Sequence, residues 1–177
     1  MAKELFPGLR PEEKIYIVVR EHWVLLLLKV LVWVLLVVIG LLFWYYVPAQ
    51  FVELQSGTPA IIVSLISQVY VLFLAVYLFL VFVMYYLNIH IITSERIVDI
   101  DQKGLFHHRI SELHIEKMED ATSEVKGVLG TLFNYGDVYI QTAGNTEHFD
   151  FENVPDPGAL VKIILDLYEQ RSNVHKE

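Results

Sequence analysis

The sequence predicts an α+β membrane protein in which a two-helix transmembrane hairpin is followed by a small domain of antiparallel strands closed by a C-terminal helix. Three observations predict it: two long, nearly charge-free apolar runs before residue 88, short alternating segments after it, and one amphipathic stretch at the end. Composition agrees. Of the 177 residues 55% are hydrophobic and the mean hydropathy is +0.47, above the roughly 45–50% apolar content of a soluble domain. The excess lies between Trp23 and Leu87.

The first run, Val30 to Val47, has 18 residues without a charge, and extending it back to Trp23 admits only Lys29. At about 1.5 Å per residue it spans roughly 27 Å, close to the hydrocarbon thickness of a bilayer. The second, Ala60 to Leu87, has 28 residues and no charge; at roughly 42 Å it must tilt or protrude. Helices are therefore expected over about 23–47 and 60–87, with a short external loop at 48–59 and a separate cytoplasmic segment at 1–22. Arg10, Lys14 and Arg20 precede the hairpin and Arg96 and Lys103 follow it, whereas the connector carries only Glu53. That asymmetry predicts both termini in the cytoplasm. Trp23, Tyr85 and Tyr86 would mark one interface, and Trp44, Tyr45 and Tyr46 the other. The triplet Val47-Pro48-Ala49 is similar to a signal-peptidase site. Its apolar stretch is about twice a signal core and its leader is too long, so the first run is read as an uncleaved span.

Polar groups within the spans are few. Lys29 lies near enough to Trp23 to snorkel to the headgroups. Ser64, Ser67 and Gln68 share a face of the second helix and are candidate intramembrane contacts to a neighbouring helix. No GxxxG pattern is present.

Beyond Leu87 the pattern changes without a linker. Asn88–Ile92 is strand-like, Thr93–Arg96 turns, and Ile97–Ile100 sets Val98 and Ile100 against Asp99 and Asp101, as in a half-buried strand. Asp101-Gln-Lys-Gly104 reads as a hairpin turn. Leu105–Ile110 returns, and Ile115–Ser123 gives a further strand. Gly127–Gly136 reads as an apolar loop or single helical turn. Asp137–Gln141 alternates again, residues 143–146 turn, and in His148–Glu152 Phe149 and Phe151 oppose Asp150 and Glu152. Asp156-Pro157 marks a helix start, with Asp as N-cap and Pro at the first helical position. Leu160, Ile163, Ile164, Leu167 and Tyr168 then form one helical face. A meander of six or seven strands with one closing helix predicts a capped, partly open barrel over residues 88–170, with 171–177 as a tail.

The segments Tyr85-Tyr86 with Asn88, Ile91–Ile100, Gly104-Leu105-Phe106 and Arg109-Ile110 carry a resemblance to a known family. So do Gly136-Asp137-Val138, Gln141–Gly144, and Phe149-Asp150-Phe151 before Val154-Pro155. In order and spacing the chain resembles bacterial pleckstrin-homology (PH) domain membrane proteins of the YdbS-like group, from about Pro11 to Tyr168. The resemblance implies a PH-like antiparallel β-barrel capped by a helix, no characteristic enzymatic activity or cofactor, and a bacterial-type plasma membrane location.

Charge narrows the partners. Residues 1–87 hold five basic and five acidic residues, while 88–177 hold eight basic and sixteen acidic, so the β-rich domain carries the whole net charge of −8. Such a domain repels nucleic acid and the anionic inner leaflet. The Asp101–Gly104 turn offers one Lys beside an Asp, which disfavours headgroup recognition. With no cysteine, disulfides and thiolate chemistry are excluded. His107 and His108 are adjacent and would point to opposite faces of a strand, and His114 adds no helical metal spacing. Asp99 with Asp101, and Glu119 with Asp120, read as solvated faces. No catalytic residue, metal, cofactor or small-molecule substrate is expected.

The expected role is a membrane-anchored module that binds the bilayer integrally and a protein partner or a second copy. Its candidate interaction surface is the apolar set Val128, Leu129, Leu132, Phe133 and Tyr135, unless these plug an end of the core. Two other readings are an accessory subunit of a transport or export complex, with Ser64, Ser67 and Gln68 against a partner helix, and lipid-headgroup binding by the PH-like domain.

Overall fold

Nearly every residue of the two apolar runs is helical, and a strand that the sequence reading did not anticipate precedes them. In the computed structural model, which describes residues 13–51, 56–104, 107–142 and 149–174, strand β1 (Ile15–Arg20) leads into helices α1 (Trp23–Gln50) and α2 (Gly57–Leu87). There follow β2 (Ile89–Thr93), β3 (Arg96–Gly104), β4 (His107–His114), a 3-10 turn at Ile115–Lys117 and β5 (Met118–Glu124). Helix α3 (Gly127–Phe133), β6 (Tyr135–Thr142), β7 (Phe149–Pro155) and α4 (Pro157–Val174) complete the chain. Residues 52–55 of the expected external loop lie outside the described residues.

The chain divides into two compact units, one over Trp23–Met84 and the other joining the residues before Trp23 to those from Tyr85 onward. The first is the helix pair. Both helices are long and apolar enough to cross a membrane, and of α2 only Leu74 and Val81 are buried. A core helix of a soluble protein would bury its apolar face; these present theirs outward, which fits a membrane anchor. Two aromatic side chains hold the pair together. Trp33 Nε1 donates to the Leu74 carbonyl oxygen at 2.9 Å, and the Tyr70 hydroxyl donates to the Leu36 carbonyl oxygen at 2.7 Å. Gly40 makes room for the Tyr70 ring, since a Cβ there would sit 2.5 Å from Tyr70 Cε1. Ser64, Ser67 and Gln68 do not reach across. Ser67 Oγ donates to the Val63 carbonyl oxygen at 2.8 Å, and Gln68 Nε2 donates to Ser64 Oγ at 3.4 Å, both within α2. Serine in a long apolar helix readily satisfies itself by back-bonding one turn away.

The second unit has two antiparallel sheets, β1-β2-β3-β4 and β5-β6-β7. β1, sequence Ile-Tyr-Ile-Val-Val-Arg, is rich in β-branched residues. It pairs with β2 across the hairpin, with Val19 opposite His90 and Arg20 opposite Ile89. Residues 15–20 therefore belong to the sheet rather than to a separate leader, and the helix pair is inserted between two neighbouring strands. An ion pair reinforces the join. Glu13, its side chain fully buried, takes Arg96 Nε and Nη2 in a fork, both at 3.0 Å, and Arg96 Nη1 reaches Glu112 at 2.6 Å. These charges hold Arg96 above its ordinary pKa, the Glu13 hydrogen bond being the largest cause. Arg96, which the sequence offers as a topogenic surface charge, is a buried structural group.

The core lies between the sheets, with Ile92, Ile97, Val138, Ile140, Phe151 and Val154 at its centre. α4 covers β5, β6 and the 3-10 turn, burying Leu160, Ile164 and Leu167, the face that the sequence predicts. Asp156 begins it at φ 44°, its side chain accepting from the Ala159 amide at 3.3 Å. The strands form no closed barrel: the 3-10 turn at Ile115–Lys117 carries the chain out of the first sheet, and no ladder joins β4 to β5 among the described residues. The expected turn at Asp101–Gly104 also shifts, because β3 runs to Gly104 and pairs there with His107, the first residue of β4.

Candidate functional site

Because side chains alternate along a strand and cross-strand partners share a face, the register fixes what each face of the first sheet presents. Its inward face holds Val19, His90, Ile92, Ile97, Asp99, Asp101, Arg109, Ser111 and Leu113. The rung Ile92–Ile97–Leu113 is apolar, whereas the next two, His90–Asp99–Ser111 and Asp101–Arg109, are polar. The inter-sheet space thus begins as a core and ends as a polar mouth. The opposite face carries a smaller apolar cluster of Ile89, Ile91 and Val98, with Ile15 and Ile100 against it. The sequence reading sent the Asp99–Asp101 face to solvent because Val98 and Ile100 alternate with it; in the fold Val98 is buried on the other face, and Asp99 and Asp101 are half-buried along the cleft.

The mouth opens into a cleft of about 550 Å³. His90 stands at its base, 7% exposed, with Nδ1 2.7 Å from Asp99 Oδ1 and its ring tilted against Phe151 at 4.4 Å between centroids. Asn88 accepts from the Gln102 amide at 2.7 Å and donates to Glu21 at 3.5 Å, joining the two ends of the hairpin insertion at the rim. Five consecutive residues of β4, Arg109 to Leu113, line the cleft. Consecutive residues point to alternate faces, so the cleft follows the edge of the strand. β4 pairs only with β3 among the described residues, which leaves alternate backbone N–H and C=O groups on that edge without a ladder partner. Across from it stand Phe149, Asp150 and Glu152 of β7.

Charge in the cleft is one-sided. Glu21, Asp99, Asp101, Glu112, Asp150 and Glu152 line it against Arg109 and Lys117. Burial pushes the Glu152 carboxyl above its ordinary pKa, and repulsion from Asp150, Asp137, Asp101 and Glu21 adds to the shift. No group of three or more metal-ligating side chains occurs among the described residues. The side chains of His107 and His108 lie outside the description, and Glu119 and Asp120 are exposed on β5.

The apolar set of the sequence reading lies elsewhere. Val128, Leu129, Leu132 and Phe133 are on α3 and all four are exposed, so they do not plug the core. Gly130 is the buried residue of that turn, where a Cβ would meet the Tyr135 carbonyl oxygen at 3.1 Å. Asn134 caps the helix in the left-handed region at φ 53°. Tyr135 is half-buried and stacks on His22, with ring centroids 5.3 Å apart.

A sequence model of the bacterial PH domain matches residues 14–168. The chain belongs to the bacterial PH domain family. The match begins one residue before β1 rather than after the hairpin, in agreement with the first strand lying ahead of α1. No curated protein matches the chain. Among solved structures it is similar to a DUF1696 family protein with a pleckstrin-homology domain from Shewanella loihica PV-4. That structure is 15% identical, with a TM-score of 0.37, and the match covers 46% of this chain and 70% of the other. PH domains serve in general as protein- or lipid-interaction modules.

Proposed function

We propose that the chain is a non-enzymatic, membrane-anchored PH-like module that mediates protein–protein interaction or self-assembly at the cytoplasmic membrane face, with the inter-sheet cleft as its recognition site. The open edge of β4 along that cleft supports this reading best. Its backbone groups without a ladder partner among the described residues are a template for an added strand, and the adjoining carboxylates favour a segment that carries Lys or Arg. The positive residues before the hairpin, Arg10, Lys14 and Arg20, support the cytoplasmic side in this reading. Headgroup binding is the weaker reading, because six carboxylates against two cations repel a phosphate. An accessory role in a transport complex loses its specific support where Ser64, Ser67 and Gln68 bond within their own helix.

The test is photo-crosslinking in native membranes from Ile110 on β4, with Thr122 on the outer face of β5 as control. A discrete product from Ile110, either a heterologous partner or a homomeric ladder, supports the reading. No product, or the same products from Thr122, defeats it.

A further inference from the structure

We infer that α3 is a third contact with the bilayer, a short interfacial turn that seats its outward apolar face among the headgroups beside the entry of the chain into the membrane. This rests on the reading of α1 and α2 as membrane spans. Val128 and Leu132 are separated by one helical turn, as are Leu129 and Phe133, so the four share a face. The face is outward, because buried Gly130 lies on the domain side of the turn. Val128 is 83% and Leu132 72% exposed, and no charge occurs from Gly127 to Gly136. Water is a poor solvent for such a face.

What covers it follows from the chain path. Tyr135, two residues beyond α3, stacks on His22, and the His22 amide donates to the Asn153 carbonyl oxygen at 2.8 Å. His22 is the residue immediately before the first apolar run. A seven-residue helix is about 10 Å long, so all of α3 stays close in the fold to His22, the last residue before the first span. This face offers no polar or charged side chain to fix the register of a partner protein. The bilayer requires only apolar area, with a cation at headgroup level; Lys126, exposed and bonded to Glu124 at 2.8 Å, stands at the start of the turn.

The chain has no cysteine, so single cysteines introduced into the full-length protein carry one spin label each. In liposomes of neutral lipid at low protein-to-lipid ratio, labels at Val128→Cys and Leu132→Cys should be relaxed by oxygen and shielded from a water-soluble nickel chelate. A label at Thr122→Cys should show the reverse. Aqueous signatures at both α3 positions overturn the proposal. Shielding that grows with protein density, together with spin–spin broadening, assigns the face to a second copy and overturns it as well. A label at Val38→Cys, mid-way along α1, reports the anchor separately: if that site is aqueous, the spans are misread, whereas a buried Val38 with aqueous α3 sinks the α3 contact alone. Val128 is the more exposed site, so its variant keeps the test usable if Leu132→Cys disturbs the fold.

Discussion

Glu13 and Arg96 are 83 residues apart in the chain yet share a bidentate contact with no solvent at the carboxylate. Removing one member leaves the other charged, buried and without its fork, a loss of about 3–5 kcal/mol. Arg96→Ala should therefore lower the unfolding free energy of the full chain in detergent by that amount, read from a denaturant titration. Glu13→Met with Arg96→Met should cost less than either single change, because neither charge is then stranded; a double variant as unstable as the sum of the singles would contradict the pairing. Glu152 makes the opposite case. Its folded-state pKa is raised by burial and by neighbouring carboxylates, so the folded state holds the proton more tightly than the unfolded chain does, and ionisation at neutral pH works against folding. Glu152→Gln should raise Tm at pH 7, and the gain should shrink as pH falls through the carboxylate range and vanish once Glu152 is protonated in both states. A gain that is constant with pH would exclude this cause.

At the scale of elements, the helix pair depends on one small residue. The Tyr70 ring cannot swing away from a larger side chain at Gly40 without giving up its hydroxyl bond to Leu36. Gly40→Val should loosen the pair by about 1–3 kcal/mol, the usual range for overpacking, seen as earlier unfolding in a dodecyl sulfate titration followed by the emission of Trp23, Trp33 and Trp44. Gly158→Ala, where an added Cβ meets open space within a helix, should be silent or slightly stabilising. The two apolar helices and α4 were legible from composition and period because each carries its signal within a single stretch of chain. β1 was not, although Ile15-Tyr-Ile-Val-Val-Arg20 has strong strand character, because its partner lies beyond two apolar helices and its basic flank reads equally as a topogenic leader. The cleft was hidden for a related reason. Asp99 and Asp101 alternate with Val98 and Ile100 as a solvated face does, and only the approach of β7, with Phe151 on His90, turns that face inward. Local pattern fixes that two faces differ; which one meets the other sheet is a tertiary fact.

For the whole molecule, the insertion of the helix pair between β1 and β2 changes what the anchor does. A domain that follows a hairpin hangs from one chain; here it is held by two, entering at His22 and leaving at Asn88, and both residues are bonded into the PH-like unit. The two crossing points are neighbours, since Arg20 is directly opposite Ile89 in an antiparallel pair and such Cα atoms are about 4.5–5.5 Å apart. The cation–π contact of Arg20 with Tyr86, at 5.5 Å, lies at the same place. A gap of that size is what a tight hairpin loop spans. Replacing Trp23–Met84 with a short Gly/Ser turn should therefore yield a soluble chain that keeps all seven strands, giving β-rich far-UV circular dichroism, dispersed amide resonances and a cooperative melt. Deleting residues 1–22 while keeping everything after them should do the reverse, because it removes β1 and strands Arg96 without Glu13. If the excised chain is unfolded, or the N-terminal deletion leaves the melt unchanged, β1 does not belong to the sheet and the hairpin is an external anchor after all.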